Sequence, residues 1–190
     1  MGFPDRLRLP FAFDPARLKA DLTALDADPW YDHAVRQNYS GRWDVLALRA
    51  AAGETHPVRI IVVPAGTTKF ADQPALARCP YFREVIAAFA CPLQAVRLMR
   101  LTPGSAIKEH YDHELGIEDG FARIHVPVMT NPQVDFRLNG RRVDMAEGSA
   151  WYLRLRDPHS VTNGGTSDRI HLVIDAVAND WLVDLFRRAA

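Results

Sequence analysis

Residues 121–155 of this chain read FARIHVPVMTNPQVDFRLNGRRVDMAEGSAWYLRL and contain several short stretches of β-type sequence with little but turns between them. Apolar and polar residues alternate within the first stretch, which is the pattern of a strand with two different faces. The Asn139-Gly140 pair between two of the stretches is a strong signal for a two-residue hairpin turn. The strands predicted here are FARIHVPVM (121–129), VDFRL (134–138), RRVDM (141–145) and SAWYLRL (149–155).

The sequence on either side continues this pattern of short strands. Further strands are predicted, the first two as a hairpin, at WDVLALRA (43–50), PVRIIVVPA (57–65), QAVRLMRL (94–101) and DRIHLVIDA (168–176). Helices are predicted over 14–26, 79–90 and 181–186, the first because Asp14 and Pro15 form a good helix start. Many short strands with little helix between them favour a jelly roll over an alternating α/β fold. We therefore expect a mainly β protein with flanking helices, a cupin-like double-stranded β-helix.

The length and the charge of the chain restrict its organisation and its partners. For 190 residues one domain (1–190) is expected, with a helix-containing part (1–92) that braces a jelly-roll core (93–178). Lysines and arginines number 23, as do aspartates and glutamates, which gives a nucleic-acid partner no support. We expect no membrane segment and no secretory signal, because no apolar run approaches the ~20 residues of a membrane helix. Two cysteines in no metal or redox motif favour a cytoplasmic protein.

A stretch rich in histidine and acidic residues, EHYDHELG (109–116), precedes the strands quoted first. If this stretch is extended, His110 and Asp112 lie on the same face, because side chains two residues apart in a strand point the same way. A solvated loop is the simpler interpretation of such a sequence taken alone, and His113 is expected on the surface. A His-x-Asp pair is suited to hold a metal ion when a further ligand lies nearby.

Two predicted strands carry the same Arg-x-His triplet. Arg123 and His125 share one face of their strand, with an apolar face behind them, and Arg169 and His171 repeat the arrangement. The simplest interpretation of either triplet alone is a polar face in contact with water. For His171, a position lining a site and a structural role both stay open.

His159, in DPHSVTNGGTSDRIHLVID (157–175), completes an ordered set with these residues. His-x-Asp, a distant histidine and then an arginine is the order found in the non-haem iron, 2-oxoglutarate-dependent oxygenases. Two imidazoles and one carboxylate on one face of octahedral Fe(II) leave positions open for a 2-oxo acid and for O2. A bound 2-oxoglutarate dianion makes this assembly net negative, and Arg169 is suited to be its bidentate counter-ion.

On these residues the chain resembles the aspartyl/asparaginyl β-hydroxylase family, in particular its bacterial branch, which includes the L-proline cis-hydroxylases. The similar stretches are LTPGSAIKEHYDHEL (101–115), RIHVPVMTNP (123–132), MAEGSAWYL (145–153) and PHSVTNGGTSDRIHLVID (158–175). The resemblance implies a jelly-roll fold, with Fe(II) bound by His110, Asp112 and His159. It also implies that Arg169 binds the distal carboxylate of 2-oxoglutarate. Arg123 and His125 match positions that help to hold this co-substrate.

The resemblance further implies a 2-oxoglutarate-dependent dioxygenase that uses O2 to hydroxylate an unactivated C–H bond of a small molecule, a free amino acid or a derivative of one. The animal enzymes of the family have glycine where this chain has Asp112, so the complete ligand set favours the bacterial small-molecule enzymes. Two alternatives stay open. One is hydroxylation of aspartate, asparagine or another side chain in a peptide or protein, and the other is a metal-binding jelly roll without catalysis.

Four arginines are candidates to receive the carboxylate of a free amino acid substrate, and no spacing favours one of them: Arg100, Arg123, Arg137 and Arg154. The segment HELGIEDG (113–120) is predicted to form a lid over the site, because it combines glycines with acidic residues.

Overall fold

The computed structural model describes residues 2–113 and 115–190, and within these ranges it contains thirteen strands and three α-helices. The strands are β1 (Arg6–Ala12), β2 (Tyr31–Asp32), β3 (Tyr39–Ser40), β4 (Trp43–Ala51), β5 (Phe70–Asp72), β6 (Leu93–Leu101), β7 (Ala106–His110), β8 (Phe121–Met129), β9 (Val134–Leu138), β10 (Arg141–Arg142), β11 (Ser149–Leu153), β12 (His159–Asn163) and β13 (Arg169–Val177). The helices are α1 (Pro15–Thr23), α2 (Pro80–Ala87) and α3 (Asp180–Ala189).

The strands form two antiparallel sheets that face each other. The larger sheet has the order β1-β11-β8-β13-β6-β4-β2, with β5 also paired to β4, and the smaller sheet has the order β10-β9-β12-β7-β3. From β6 to β13 the chain crosses repeatedly from one sheet to the other, so that consecutive segments wind around a common interior. This winding is the double-stranded β-helix, and the predicted mainly β, jelly-roll fold class is confirmed.

Two hydrophobic cores lie on the two sides of the larger sheet. The outer core is packed between this sheet and the helices, and it includes Leu18 of α1, Phe82 of α2 and Phe186 of α3. The inner core lies between the two sheets and includes Trp43 of β4 and Phe136 of β9. Because the sheets enclose this interior, a polar side chain that faces it is shielded from water.

The polar residues of β8 and β13 face the interior between the sheets. The apolar residues that alternate with them belong to the outer core: Ala122, Ile124, Val126 and Val128 of β8, and Ile170, Leu172 and Ile174 of β13. The predicted common faces of the two Arg-x-His triplets are thereby confirmed. The interpretation that these faces meet water is wrong, since His125 is 5% exposed, Arg169 3% and His171 1%.

The predicted strand at 57–65, and its hairpin with the strand before it, are wrong. The segment forms turns within the connection between β4 and β5. In the larger sheet β4 already has β6 on one side and β2 and β5 as further partners, so no edge of β4 is left for this segment. Ile61 of the segment is nevertheless 2% exposed and packs on the inner core.

The hairpin predicted at Asn139-Gly140 is confirmed. The two residues have φ angles of 52° and 69°, as a two-residue turn with positive φ at both positions requires. Leu138 pairs with Arg141 directly across it. The strand after the turn is shorter than predicted, because β10 comprises only Arg141 and Arg142.

The sequence did not predict β1 or β12. β1 pairs with β11 at the edge of the larger sheet, and β12 begins at His159 and pairs with β7 and β9. Buried residues of β12 alternate with more exposed ones. The sequence HSVTN is mostly polar, however, so it lacks the apolar alternation from which a strand is predicted.

The three helices lie where the sequence predicts them, but their first and last residues differ from the predicted ones. The side chain of Asp14 accepts a hydrogen bond from the N–H of Ala16 at 2.8 Å, so the predicted cap of α1 is confirmed. α3 is longer than predicted at both ends, and Asn179 caps its start by accepting from the N–H of Leu182 at 3.0 Å. Within residues 2–113 and 115–190, none of the helices has the length and apolar character needed to cross a membrane.

Gly148 lies where three parts of the larger sheet meet. Its N–H donates to the carbonyl oxygen of Pro127 at 2.9 Å, and its own carbonyl oxygen accepts from the N–H of Phe13 at 2.8 Å. Its φ angle is +75°, and a Cβ at this position would lie 2.1 Å from the carbonyl oxygen of Phe13. Both the backbone conformation and the close approach therefore require glycine.

We expect Gly148→Ala to lower the free energy of unfolding by about 2–4 kcal/mol, because left-handed strain and a backbone clash add together. Gly53→Ala is the matched control, since Gly53 has a φ of +78° with nothing within 4 Å of a built Cβ. The free energy of unfolding of Gly53→Ala should fall by only about 1 kcal/mol. Urea unfolding of both variants measures the difference, and equal losses would contradict the close approach at Gly148.

Candidate metal and co-substrate site

Three potential metal ligands, His110, Asp112 and His159, converge between the sheets. His110 ends β7 and His159 begins β12, and the two residues are paired across these neighbouring strands. Their ring centroids are 4.2 Å apart, and Oδ1 of Asp112 lies 3.6 Å from Nε2 of His110. One ligand atom from each of the three residues lies within 4.8 Å of the others. Two imidazoles and one carboxylate in this arrangement suit a divalent transition metal with open positions.

Both histidines are oriented so that Nε2 is available to a metal. Nδ1 of His110 is 2.8 Å from the carbonyl oxygen of Lys108, and Nδ1 of His159 is 3.0 Å from that of Asp157. A carbonyl oxygen only accepts, so each Nδ1 donates its proton and each Nε2 carries the lone pair. Burial lowers the pKa of His159 below its ordinary value. The neutral form that a metal requires is therefore favoured.

Asp112 lies two residues beyond β7 and is held by a backbone and a side-chain contact. Its N–H donates to the carbonyl oxygen of Leu155 at 2.8 Å, and its Oδ2 accepts from Nη1 of Arg123 at 2.8 Å. Oδ1 is left on the side of His110. The structure thus places Arg123 against the carboxylate ligand. A role for Arg123 in holding a co-substrate stays a prediction.

Arg169 is buried beside this group without a counter-ion. Its Nη2 donates to Nδ1 of His171 at 2.9 Å, its Nε has no hydrogen-bond partner, and no carboxylate of the described residues forms an ion pair with it. Burial lowers the pKa of Arg169 to about 9. A buried guanidinium in this state is stabilised by an anion, so the position fits a carboxylate supplied by a ligand.

His125 and His171 lie next to Arg169. Their Nδ1 atoms are 3.3 Å apart, and burial, followed by the nearby charge of Arg169, lowers the pKa of each well below its ordinary value. Both rings are therefore neutral when no ligand is bound. Nε2 of His125 is buried and has no partner in the described part of the chain. Since Nδ1 of His171 accepts from Arg169, the contact between the two Nδ1 atoms places the proton of the neutral His125 ring on its Nδ1, and its free Nε2 is an acceptor.

A cavity of about 660 Å³ opens onto the three metal ligands and Arg169. Its apolar wall includes Trp43, Met99 and Leu155, and part of its boundary is formed by 61–67 in the connection between β4 and β5. Such a cavity has room for a small substrate beside a co-substrate.

Of the four arginines considered for a substrate carboxylate, only Arg123 lines this cavity. Arg100 binds Asp44 and lies over the ring of Trp30, on the outer side of the larger sheet. Arg137 pairs with Asp135 on the surface, and Arg154 pairs with Asp157 and donates to the carbonyl oxygen of Phe3.

The predicted lid at 113–120 lies at the edge of the cavity, and its residue Glu114 is outside the described residues. His113 and Leu115 line the cavity, whereas Ile117 is 6% exposed and belongs to the outer core. His113 is also exposed to solvent, in agreement with its predicted surface position. That the segment acts as a lid stays a prediction.

Sequence reasoning missed three polar residues of the cavity: His33, Arg97 and Asp175. His33 stacks on Trp43 with ring centroids 3.5 Å apart, and burial lowers its pKa to about 3. Arg97 and Asp175 form an ion pair, both nearly fully buried. Strand alternation contained the signal for both, since Arg97 shares a face with Met99, and Asp175 shares a face with Arg169.

Comparison with known proteins finds relatives in sequence and further proteins of similar fold. An L-proline cis-4-hydroxylase of Rhizobium meliloti (strain 1021) is 28% identical over 165 residues, which are 86% of this chain and 57% of that protein. The chain thus spans little more than half the length of this relative.

Solved structures share the fold at low sequence identity. An oxidoreductase of the 2OG-Fe(II) oxygenase family from Burkholderia pseudomallei superposes with a TM-score of 0.54 at 17% identity, over 93% of this chain and 88% of that one. The non-haem α-ketoglutarate-dependent epimerase SnoN from nogalamycin biosynthesis gives a TM-score of 0.58 at 12% identity, over 90% and 76%. At these identities the likeness concerns the fold.

The family model described as aspartyl/asparaginyl beta-hydroxylase matches residues 16–179. The matched range includes both sheets from β2 to β13, and with them the metal ligands and Arg169. The chain therefore belongs to the aspartyl/asparaginyl β-hydroxylase family.

Proposed function

We propose that this protein is an Fe(II)- and 2-oxoglutarate-dependent dioxygenase that hydroxylates an unactivated C–H bond of a free amino acid related to proline. The observation that carries the proposal is Arg169, a buried cation with no carboxylate partner in the described residues, beside a set of two histidines and one aspartate. A jelly roll that only binds a metal does not require a buried arginine without a counter-ion. The known relatives support the same function.

His110, Asp112 and His159 would hold the metal through Nε2, Oδ1 and Nε2. The backbone carbonyls that accept from the two Nδ1 atoms fix both rings before the metal arrives. With two neutral imidazoles and one carboxylate, Fe(II) keeps one net positive charge, which favours an anionic chelator in the open positions.

Arg169 would bind the distal carboxylate of 2-oxoglutarate through its guanidinium. This contact returns a counter-ion to a side chain that is 3% exposed, and it orients the co-substrate with its 2-oxo acid end toward the metal ligands. His125 would support this contact from the side, since its Nδ1 lies 3.3 Å from Nδ1 of His171, the residue that accepts from Arg169. Arg169 would therefore favour a 2-oxo acid that carries a second carboxylate.

Bound Fe(II) and 2-oxoglutarate supply the oxidant, as O2 is reduced, 2-oxoglutarate yields succinate and CO2, and the substrate C–H bond becomes C–OH. The side chains around them exclude water from the reacting atoms. Trp43, Met99 and Leu155 give the cavity an apolar wall, which suits the aliphatic part of a small substrate.

Proline is the first substrate candidate because the 28% identical relative is named as an L-proline cis-4-hydroxylase. The cavity of about 660 Å³ accommodates a small amino acid together with 2-oxoglutarate. Hydroxylation of a residue within a peptide requires part of the chain to leave the cavity, and it is tested below beside the free amino acid.

We expect 2-oxoglutarate to stabilise the Fe(II)-loaded protein and to lose this effect in Arg169→Gln. At about one hundred times its dissociation constant, the ligand should raise the anaerobic unfolding midpoint by roughly 5–10 °C. The unliganded variant should be at least as stable as the wild type, because the substitution removes a buried charge without a counter-ion. Differential scanning calorimetry measures both effects.

Arg8→Gln is the control for this measurement, because Arg8 is an exposed residue of β1 on the far edge of the larger sheet. It should keep the full 2-oxoglutarate shift. A shift of wild-type size in Arg169→Gln would contradict the assignment of Arg169 to the co-substrate.

We expect aerobic incubation with Fe(II), 2-oxoglutarate and L-proline to produce succinate and a hydroxylated product in equal amounts, and Asp112→Ala to abolish both. Asp135→Ala is the matched control, since the side chains of Asp112 and Asp135 are each 29% exposed and each pairs with an arginine, and Asp135 lies outside the cavity. This variant should keep most of the wild-type turnover.

Related free amino acids and N-acylated proline amides are compared with L-proline by the same mass-spectrometric assay. Turnover of the blocked amides alone would replace the free amino acid by a peptide as the substrate. Wild-type turnover in Asp112→Ala would refute the metal site, and the absence of succinate with every candidate would refute the oxygenase function.

A further inference from the structure

Asp175 is a buried carboxylate that binds two arginines and touches none of the metal ligands. It lies in β13 opposite Arg123 of β8 and is 4% exposed. Its Oδ1 accepts from Nε of Arg123 at 2.6 Å, and its Oδ2 accepts from Nη2 of the same guanidinium at 3.0 Å. Arg97 of β6 adds a further contact to Oδ2. Arg123 is thereby held as a two-pronged ion pair, which fixes the plane of its guanidinium.

The remaining contact of Arg123 links Asp175 to the metal site. Nη1 of Arg123 donates to Oδ2 of Asp112 at 2.8 Å, and no other side chain of the described residues donates to that carboxylate. Oδ1 of Asp112 is therefore the oxygen that faces His110. Arg123 thus connects Asp175 to Oδ2 of Asp112, the oxygen opposite the one that faces His110.

Asp112 needs this support more than the two histidines do. His110 and His159 lie within strands and are paired with each other, so the sheet orients their side chains. Asp112 lies two residues past the end of β7, and a single backbone hydrogen bond to Leu155 holds it there. Arg123 has a long side chain whose many rotamers would leave Asp112 unsupported unless the guanidinium were itself fixed.

The charges of the four residues alternate along the contacts: Arg97, Asp175, Arg123 and Asp112. Burial alone would raise the pKa of Asp175, but Arg123 and Arg97 hold it below its ordinary value, so the carboxylate is ionised. The set is neutral before a metal binds. If Asp175 loses its charge, two buried guanidinium groups share the carboxylate of Asp112 alone.

We propose that Asp175 is a positioning residue for the metal site: it clamps Arg123 so that Asp112 is preorganised to offer one oxygen to the metal. This inference rests on the proposed function only in taking His110, Asp112 and His159 as the metal ligands. It concerns the affinity of the unliganded protein for a divalent metal, which is measurable without co-substrate, O2 or turnover.

The test is the affinity of the full chain for Co²⁺, measured by isothermal titration calorimetry on wild type and on Asp175→Asn. We expect the variant to bind Co²⁺ about 10–100-fold more weakly, which is the usual effect of removing a group that orients a metal ligand. The visible spectrum of the Co²⁺ form should change in the same variant, because Asp112 is no longer held with one oxygen toward the metal.

Asp44→Asn is the matched control. Asp44 of β4 is 1% exposed, is bound through both oxygens by Arg100 of the neighbouring strand, and accepts from Arg42 as well. It repeats the arrangement of Asp175 but lies outside the cavity. We expect this variant to be less stable than wild type, with Co²⁺ affinity within twofold and an unchanged spectrum.

Folded Asp175→Asn with wild-type Co²⁺ affinity would overturn the inference. If this variant does not fold, the double variant Asp175→Asn/Arg97→Gln restores the charge balance while Arg123 still lacks its clamp. The same weakening is expected there, and wild-type affinity would again overturn the inference. A wild-type chain that binds no divalent metal would instead refute the proposed function.

Discussion

A guanidinium that is 3% exposed and has no carboxylate beside it is costly, because a charge moved out of water needs a partner. Burial lowers the pKa of Arg169 to about 9, and the acceptor it has among the described residues is the neutral ring of His171. The other two arginines that line the cavity, Arg97 and Arg123, share Asp175. Arg169 has no carboxylate partner among the described residues, and we propose that a ligand supplies its counter-ion. The free protein therefore carries the free-energy cost of a buried, unpaired guanidinium, and a bound dianion would remove this cost.

The jelly roll brings the groups that serve this ligand together by strand register. β7 and β12 are neighbours in the smaller sheet, and their pairing places His110 opposite His159. β8 and β13 are neighbours in the larger sheet, and their pairing places Arg123 opposite Asp175. The two pairs face each other across the interior, and Asp112, just beyond β7, connects them. Arg123 of the larger sheet thus contacts Asp112, the proposed metal ligand that follows β7 of the smaller sheet.

Local rules predicted much of this arrangement and failed where partners are distant in sequence. The face shared by Arg123 and His125 and the turn at Asn139-Gly140 followed from spacing and residue type, whereas the full ligand set followed from the resemblance to a known family. Residues 57–65 have the composition of a strand, but β4 already had its partners. Arg97 and Asp175 lie on inward faces that alternation identifies. Their pairing depends on the neighbouring positions of β6 and β13, which no local pattern specifies.

The most direct test of the account is the anaerobic visible spectrum of the purified protein as Fe(II) and then 2-oxoglutarate are added. Chelation of the 2-oxo acid by Fe(II) held on one face by His110, Asp112 and His159 gives a weak metal-to-ligand charge-transfer band. We expect this band to appear with 2-oxoglutarate and to be weakened when a monocarboxylic 2-oxo acid, which cannot reach Arg169, replaces it. A folded, iron-loaded protein that develops no band with 2-oxoglutarate would contradict the account.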